Sequence, residues 1–188
     1  MKDYGQWPKD EMPIWFTNCQ WIRQINRSTS IPNVCRGMHA QKGCFCQSKL
    51  VECISGSIHD IIIDARPDSK TYGRANVYHL DSTKANKLFV PKGFLHGFYS
   101  DRLDAAGHAI KQNIFQYYIG GGTYCHESEF SVSISDVVKQ LRADSRNSWL
   151  AADDEIMLSD KDKDAFSLYR WLEETYFDYK QTGKLWYR

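Results

Sequence analysis

The chain lacks the features that commit a protein to a membrane, a nucleic acid or a disulfide framework. No run approaches the ~18 consecutive apolar residues of a spanning helix, and Met1-Lys2-Asp3-Tyr4-Gly5-Gln6 has no apolar core of a signal peptide. A soluble, cytoplasmic protein is therefore expected. An excess of charge is missing too: 24 Lys+Arg stand against 23 Asp+Glu, a formal net charge of +1. No basic block is left to track the phosphates of a nucleic acid or an anionic membrane, so a small, locally charged ligand fits better. Of the six cysteines, only Cys44 and Cys46 are close neighbours. One residue separates them, not the two to four of a thiolate zinc knuckle, and no second close pair exists. Cys19, Cys35, Cys44, Cys46, Cys53 and Cys125 are expected to be reduced thiols in a chain large enough to fold without staples. Internal repeats and low-complexity tracts are absent as well.

What is present is a core. With 188 residues, 42% hydrophobic and 14% aromatic, the chain buries one substantial core, and a single domain over 1–188 is expected. Short apolar segments at 50–54, 58–64, 77–80, 88–90 and 110–119 are separated by turn chemistry such as Ser55-Gly56-Ser57, Arg66-Pro67-Asp68-Ser69-Lys70 and Pro91-Lys92-Gly93. Phe130, Val132 and Ile134 alternate with Ser131, Ser133 and Ser135 at period two, which predicts a further strand. Many short strands without interleaved helices argue for an all-β sandwich or barrel. The period changes near the C-terminus: Phe166, Leu168, Trp171, Leu172 and Tyr176 predict an amphipathic helix from Ser159, so a helical extension is placed at about 159–181. The polar stretch 137–154, with Arg142, Asp144, Arg146 and Asn147, reads as a surface excursion with room for one short helix.

The polar residues fall into an ordered set: Arg36-Gly37-Met38-His39, Lys49, Gly93-Phe94-Leu95-His96-Gly97-Phe98, Tyr118 and Tyr124, and Ser159-Asp160-Lys161-Asp162. Such a set holds the parts of a site that removes a proton from a carbon beside a carbonyl: a base, a cation for the enolate, an acid, and a carboxylate that orients the base. Each residue also has a plainer reading. Ser159 to Asp162 fits a helix-start box, Lys49 a solvated strand end, His96 a satisfied core histidine, and Tyr118 ordinary strand packing.

In order and spacing, these motifs resemble the dTDP-4-dehydrorhamnose 3,5-epimerase family. The likeness is densest over 24–99 and returns at Tyr118, Tyr124 and Leu158-Ser159-Asp160-Lys161-Asp162. The resemblance implies a double-stranded β-helix, the cupin jelly roll, with a C-terminal α-helix. It implies a cofactor-independent epimerase that inverts C3, C5 or both of an NDP-4-keto-6-deoxy sugar in deoxysugar biosynthesis, working as a homodimer. It assigns His39 as the base, Asp162 as the carboxylate that holds its tautomer, Lys49 as the enolate cation and Tyr118 as the acid on the opposite face. One of the adjacent Tyr117 and Tyr118 must face the core and the other away, so Tyr117 is the rival. Substrate contacts are assigned to Arg36 at the diphosphate, His96 in the sugar pocket, Gln24 and Asn26 at the base, Tyr124 over the nucleotide, and Lys161.

Departures from the family pattern accompany the matches. Members usually begin with an extra strand region whose Arg-Gly step reaches into the neighbouring subunit, and His39 is expected to lie too near the start for it, leaving Trp7, Trp15 or Arg23 to rebuild those contacts. Gly120-Gly121-Gly122 lacks the Gly-Lys-Ser/Thr and helix start of a phosphate cradle. His39 is followed by Ala40-Gln41, so the His-x-His pair of metal-binding cupins is missing, and neither metal nor cofactor is expected. The alternatives are a nucleotide-sugar 3,4-ketoisomerase and a non-catalytic sugar-nucleotide binder.

Overall fold

Two antiparallel sheets face each other, and the chemistry-bearing residues fall between them. The computed structural model describes residues 5–7, 22–142 and 156–188. The strands are β1 (Gly5–Trp7), β2 (Ile22–Ser30), β3 (Val34–Gln41), β4 (Gln47–Ser55), β5 (Ser57–Asp64), β6 (Ala75–Asp81), β7 (Lys87–Val90), β8 (Phe94–Ser100), β9 (Asn113–Gly121), β10 (Glu129–Ser131) and β11 (Met157–Leu158). The helices are α1 (Ile134–Arg142), α2 (Asp160–Lys163) and α3 (Leu168–Thr182). One sheet runs β1-β7-β4-β9-β2 and the other β10-β3-β8-β5-β6, with β11 added parallel to β3. This is the jelly roll, closed by a C-terminal helix.

Strand alternation sorts the apolar residues into two cores. On β5, Ile58 and Ile62 point between the sheets, where they meet Val51, Cys53, Leu80, Leu88, Phe98 and Phe115. Ile61 and Ile63 point the other way, against Leu95, Val137, Leu141, Leu168 and Trp171. A strand covered on both faces reads as an unbroken apolar run, which accounts for Ile61-Ile62-Ile63. The α3 layer is fastened by an aromatic cluster: Trp171 stacks on Phe130 at 4.9 Å and meets Trp186 edge-on at 5.4 Å, while Trp186 Nε1 donates to the Ala65 carbonyl at 2.6 Å. Beside it, buried Asp64 accepts a two-pronged bond from Arg66 and the hydroxyls of Ser69 and Thr71, which pins the turn expected at 66–70.

The strand predicted through Ile134 and Ser135 ends instead at Ser131. Ser133 Oγ accepts the Asp136 backbone N–H at 3.3 Å, and Ile134, Val137, Val138 and Leu141 are buried at helical spacing. Helix capping thus overrides a short period-two pattern. The surface reading of 137–154 fails at its start, because Val137 is fully buried; the 143–155 part, with Asp144, Arg146 and Asn147, lies outside the described residues, as does the Arg142 side chain. The predicted helix at 159–181 is two helices, interrupted where Phe166 forms a bridge with Val132. Among the described cysteines all five are free thiols, and Cys19 lies outside the described residues. No described helix is long and apolar enough to cross a membrane.

Candidate active site

Between the sheets lies a cavity of about 260 Å³. Its walls carry Gln24, Asn26 and Ser28 from β2, Arg36 and His39 from β3, Lys49 from β4, His96 from β8, Tyr117 from β9, and Tyr124 and Glu129 at the rim. Eight of the ten side chains singled out from sequence line this cavity or stand directly behind it. Tyr118 and Lys161 do not.

A β-bulge sets the position of His39. The β3–β8 register shifts between Arg36 and His39, at a point where the two backbones nearly touch. A Cβ on Gly37 would fall 2.6 Å from the Gly97 Cα, and one on Gly97 would fall 2.6 Å from the Arg36 carbonyl oxygen. Only glycine fits both positions, and Gly37 also holds a φ of +119°, which other residues rarely adopt. The bulge re-aims the strand so that His39 reaches the cavity while its Nε2 meets Asp162 Oδ1 at 2.7 Å.

Asp162 serves two structures at once. Its backbone N–H donates to Ser159 Oγ at 3.3 Å, the helix-start bond of α2, while Ser159 Oγ donates to Asp162 Oδ2 at 2.8 Å. Capping and pairing with His39 therefore coexist. Burial opposes the carboxylate's charge, yet the hydrogen bonds from His39 and Ser159 hold Asp162 below the ordinary aspartate value. A carboxylate that accepts from Nε2 fixes the neutral imidazole with its proton there and its lone pair on Nδ1.

Beside His39 on the neighbouring strand, where the two histidines pair in register, His96 Nε2 lies 2.6 Å from Oδ1 of fully buried Asp60. Asp60 is a site residue that the sequence reading misses, although a carboxylate at the middle of Ile58-His59-Asp60-Ile61-Ile62 is a usable signal. Burial draws Lys49 below the ordinary lysine value, against the attraction of Asp60 and Glu129. Glu129, also missed, accepts from Lys161 Nζ at 2.6 Å and from the Tyr124 hydroxyl at 3.1 Å. Lys161 is thus an exposed rim residue held by Glu129, outside the cavity wall.

Tyr118 turns away from the cavity. Its hydroxyl donates to Glu52 Oε2 at 2.8 Å, while Tyr117 faces inward, edge-on to His96 at 5.7 Å. The inward parity of β9 is set by Phe115 and Ile119, both buried, and Tyr117 shares it. Burial, reinforced by Asp60, raises the Tyr117 phenol well above its ordinary value, with Arg36 opposing, so it keeps its proton. On β2, Gln24 Nε2 donates to Asn26 Oδ1 at 2.8 Å; Arg23, of opposite parity, is exposed and off the cavity wall. The Trp7 side chain and Trp15 lie outside the described residues.

Comparison with known proteins converges on one family. Residues 6–170 match the family described as dTDP-4-dehydrorhamnose 3,5-epimerase. Over 75 residues the chain is 43% identical to the dTDP-4-dehydrorhamnose 3,5-epimerase of Escherichia coli (strain K12), a match covering 40% of this chain and 40% of that protein. The chain thus spans about 40% of the length of this curated relative. The crystal structure of dTDP-4-dehydrorhamnose 3,5-epimerase from Elizabethkingia anophelis NUHP1 is similar at a TM-score of 0.63 and 31% identity, over 79% of this chain and 73% of that one. The dTDP-6-deoxy-D-glucose-3,5-epimerase of Legionella pneumophila Philadelphia 1, in complex with dTDP-4-keto-L-rhamnose, is similar at a TM-score of 0.64 and 26% identity, over 89% of this chain and 86% of that one.

Proposed function

This chain belongs to the dTDP-4-dehydrorhamnose 3,5-epimerase family, and from that premise we propose that it inverts C3, C5 or both of a nucleotide-linked 4-keto-6-deoxy sugar by proton removal and return. The observation that carries this reading is the placement of the Asp162-oriented His39 and the protonated Tyr117 on the wall of one cavity, with Lys49 and the Asp60–His96 pair beside them.

The 4-keto group acidifies the adjacent C–H, and His39 Nδ1 takes that proton while Asp162 stabilises the imidazolium. Negative charge moves onto the C4 oxygen, where Lys49 and His96 meet it. Tyr117 returns a proton from the other face, which inverts the centre, and a second cycle at the neighbouring carbon completes a double epimerisation. Arg36 provides a planar fork for the diphosphate, and Gln24, Asn26 and Tyr124 receive the nucleotide base. No step in this sequence calls on a metal or cofactor. The chain works as a single domain and as a homodimer, since β2 is a nine-residue sheet edge with no strand on its outer side among the described residues.

Incubation with dTDP-4-keto-6-deoxyglucose in D2O, read by NMR, tests the proposal. Deuterium at C3 or C5 that disappears in His39→Ala supports it and counts the centres. Undiminished exchange in His39→Ala, or none in the native protein, refutes it.

A further inference from the structure

A second cluster of titratable side chains lies on the opposite face of the sheet that carries His96. Residues paired directly across antiparallel strands have Cβ atoms about 5 Å apart, and His59 on β5 pairs with His79 on β6 in that way. Their rings stack with centroids 4.7 Å apart. Asp101 joins from the end of β8, where its backbone N–H donates to the Ser57 carbonyl at 3.2 Å and brings its side chain alongside Ser57 and His59. Its Oδ1 is 2.6 Å from His59 Nδ1 and its Oδ2 is 3.4 Å from His79 Nε2. Ser57 Oγ stands 2.6 Å from both Asp101 Oδ2 and His79 Nε2. One donor atom from each of His59, His79 and Asp101 lies within 4.8 Å of the others.

We propose that His59, His79 and Asp101 form a binding site for a divalent transition-metal ion, zinc by the character of its donors. Two imidazoles and one carboxylate make up a three-ligand zinc set whose fourth position is left to water. Ligands at ~2.05 Å from a tetrahedral zinc stand ~3.3 Å apart, close to the 3.4 Å already present between His79 and Asp101. The shorter His59–Asp101 contact is a hydrogen bond, and it opens as the metal replaces the shared proton. Ser57 then donates to the carboxylate and fixes its orientation, the usual service of an outer hydrogen bond to a metal ligand.

Charge and access agree with this assignment. Asp81 adds a second negative charge near His79, against which Lys84 is the opposing cation. The His79 side chain is 42% exposed and that of His59 is 13% exposed, which gives an ion both an entry and a sheltered seat. The site is separate from the cavity: His59 and Asp60 are consecutive on β5 and therefore point to opposite faces. A bound ion ties the edge strand β6 to β5 and to the end of β8, so its role is to fasten the sheet.

The test is titration of chelator-treated protein with zinc sulfate by calorimetry, with cobalt(II) as a spectroscopic reporter. The expected result is a single ion per chain, visible cobalt absorption of tetrahedral strength, and a melting temperature raised by roughly 5–10 °C at a hundredfold excess over Kd. His79→Gln and Asp101→Asn remove that ion, whereas His39→Ala and Cys125→Ser retain it. His79 sits exposed on an edge strand, so His79→Gln tests the site even where Asp101→Asn fails to fold. The assignment is overturned by the absence of saturable zinc binding, by an ion that survives His79→Gln, or by one lost with His39.

Discussion

Exchanging a single hydroxyl at either of two adjacent tyrosines separates the chemistry of the site from its packing. Tyr117→Phe leaves a ring that still meets His96 at 5.7 Å and Phe115 at 5.5 Å edge-on, so the loss is confined to the proton donor. A positioned general acid contributes about 10²- to 10⁴-fold, which at 1.36 kcal/mol per tenfold is ~2.7–5.4 kcal/mol of barrier. Tyr118→Phe loses the hydroxyl bond to Glu52, worth about 1 kcal/mol of stability and roughly 2–4 °C of melting temperature in a chain of this size. The assay follows deuterium entry into recovered substrate and the appearance of inverted product in the same sample. In Tyr117→Phe, His39 still removes and returns its proton, so exchange continues while inversion falls a hundredfold or more. In Tyr118→Phe both proceed at near the native rate. Native inversion in Tyr117→Phe, or an equal collapse in Tyr118→Phe, refutes the assignment of the acid.

Asp162→Asn, which removes the charge that stabilises the imidazolium, is expected to lower kcat by about 10²- to 10⁴-fold with little change in KM, as steady-state kinetics will read. Gly37→Ala drives a methyl to 2.6 Å from the Gly97 Cα and is expected to abolish folding or activity; Gly43→Ala, with nothing within 4 Å of its Cβ, costs only ~1–2 kcal/mol for its left-handed backbone, and denaturant melts compare the two. Asp64 is held below the ordinary aspartate value, because its bonds from Arg66, Ser69 and Thr71 outweigh burial. Its stabilisation is therefore complete above the unfolded value near ~3.9 and is lost as pH falls through the lower folded value. Asp64→Asn should flatten the acid limb of the melting-temperature profile while lowering its neutral plateau. Trp171→Ala, which empties a site shared with Phe130 and Trp186, should cost about 3–5 kcal/mol by urea melts.

The parts of the molecule legible in the sequence are those written in local pattern. The strands around β4, β5 and β7, the turn at 66–70 and the Ser159 start of α2 follow from alternation, turn residues and capping. His39, Lys49, Arg36 and His96 are located by motif order. The cavity-facing tyrosine is displaced by one residue because the six-residue spacing to Tyr124 points to Tyr118, while Gly121, at a φ of +96°, breaks the strand's parity before Tyr124 is reached. Phe115 and Ile119 carry the better signal, since whichever tyrosine shares their parity must face inward. Asp60 and Glu129 stay hidden for a different reason. Their roles arise from contacts with residues 36 and 32 positions away, and no local pattern encodes such pairs. The α1 helix is lost to a strand reading because three alternating pairs are too few to outvote a serine cap.

The shared use of Asp162 as partner of the Ser159 cap and of His39 has a consequence for heat. Helix α2 is four residues long, a single turn that is among the cheapest units of the molecule to open. Every opening of that turn withdraws the carboxylate from His39, so the population of competent enzyme follows a local equilibrium and not the global one. Turnover should therefore decline on warming several degrees before the sheets melt, and recover fully on cooling. The proposed catalytic apparatus has a thermal fuse of its own, reset each time one serine re-engages one aspartate.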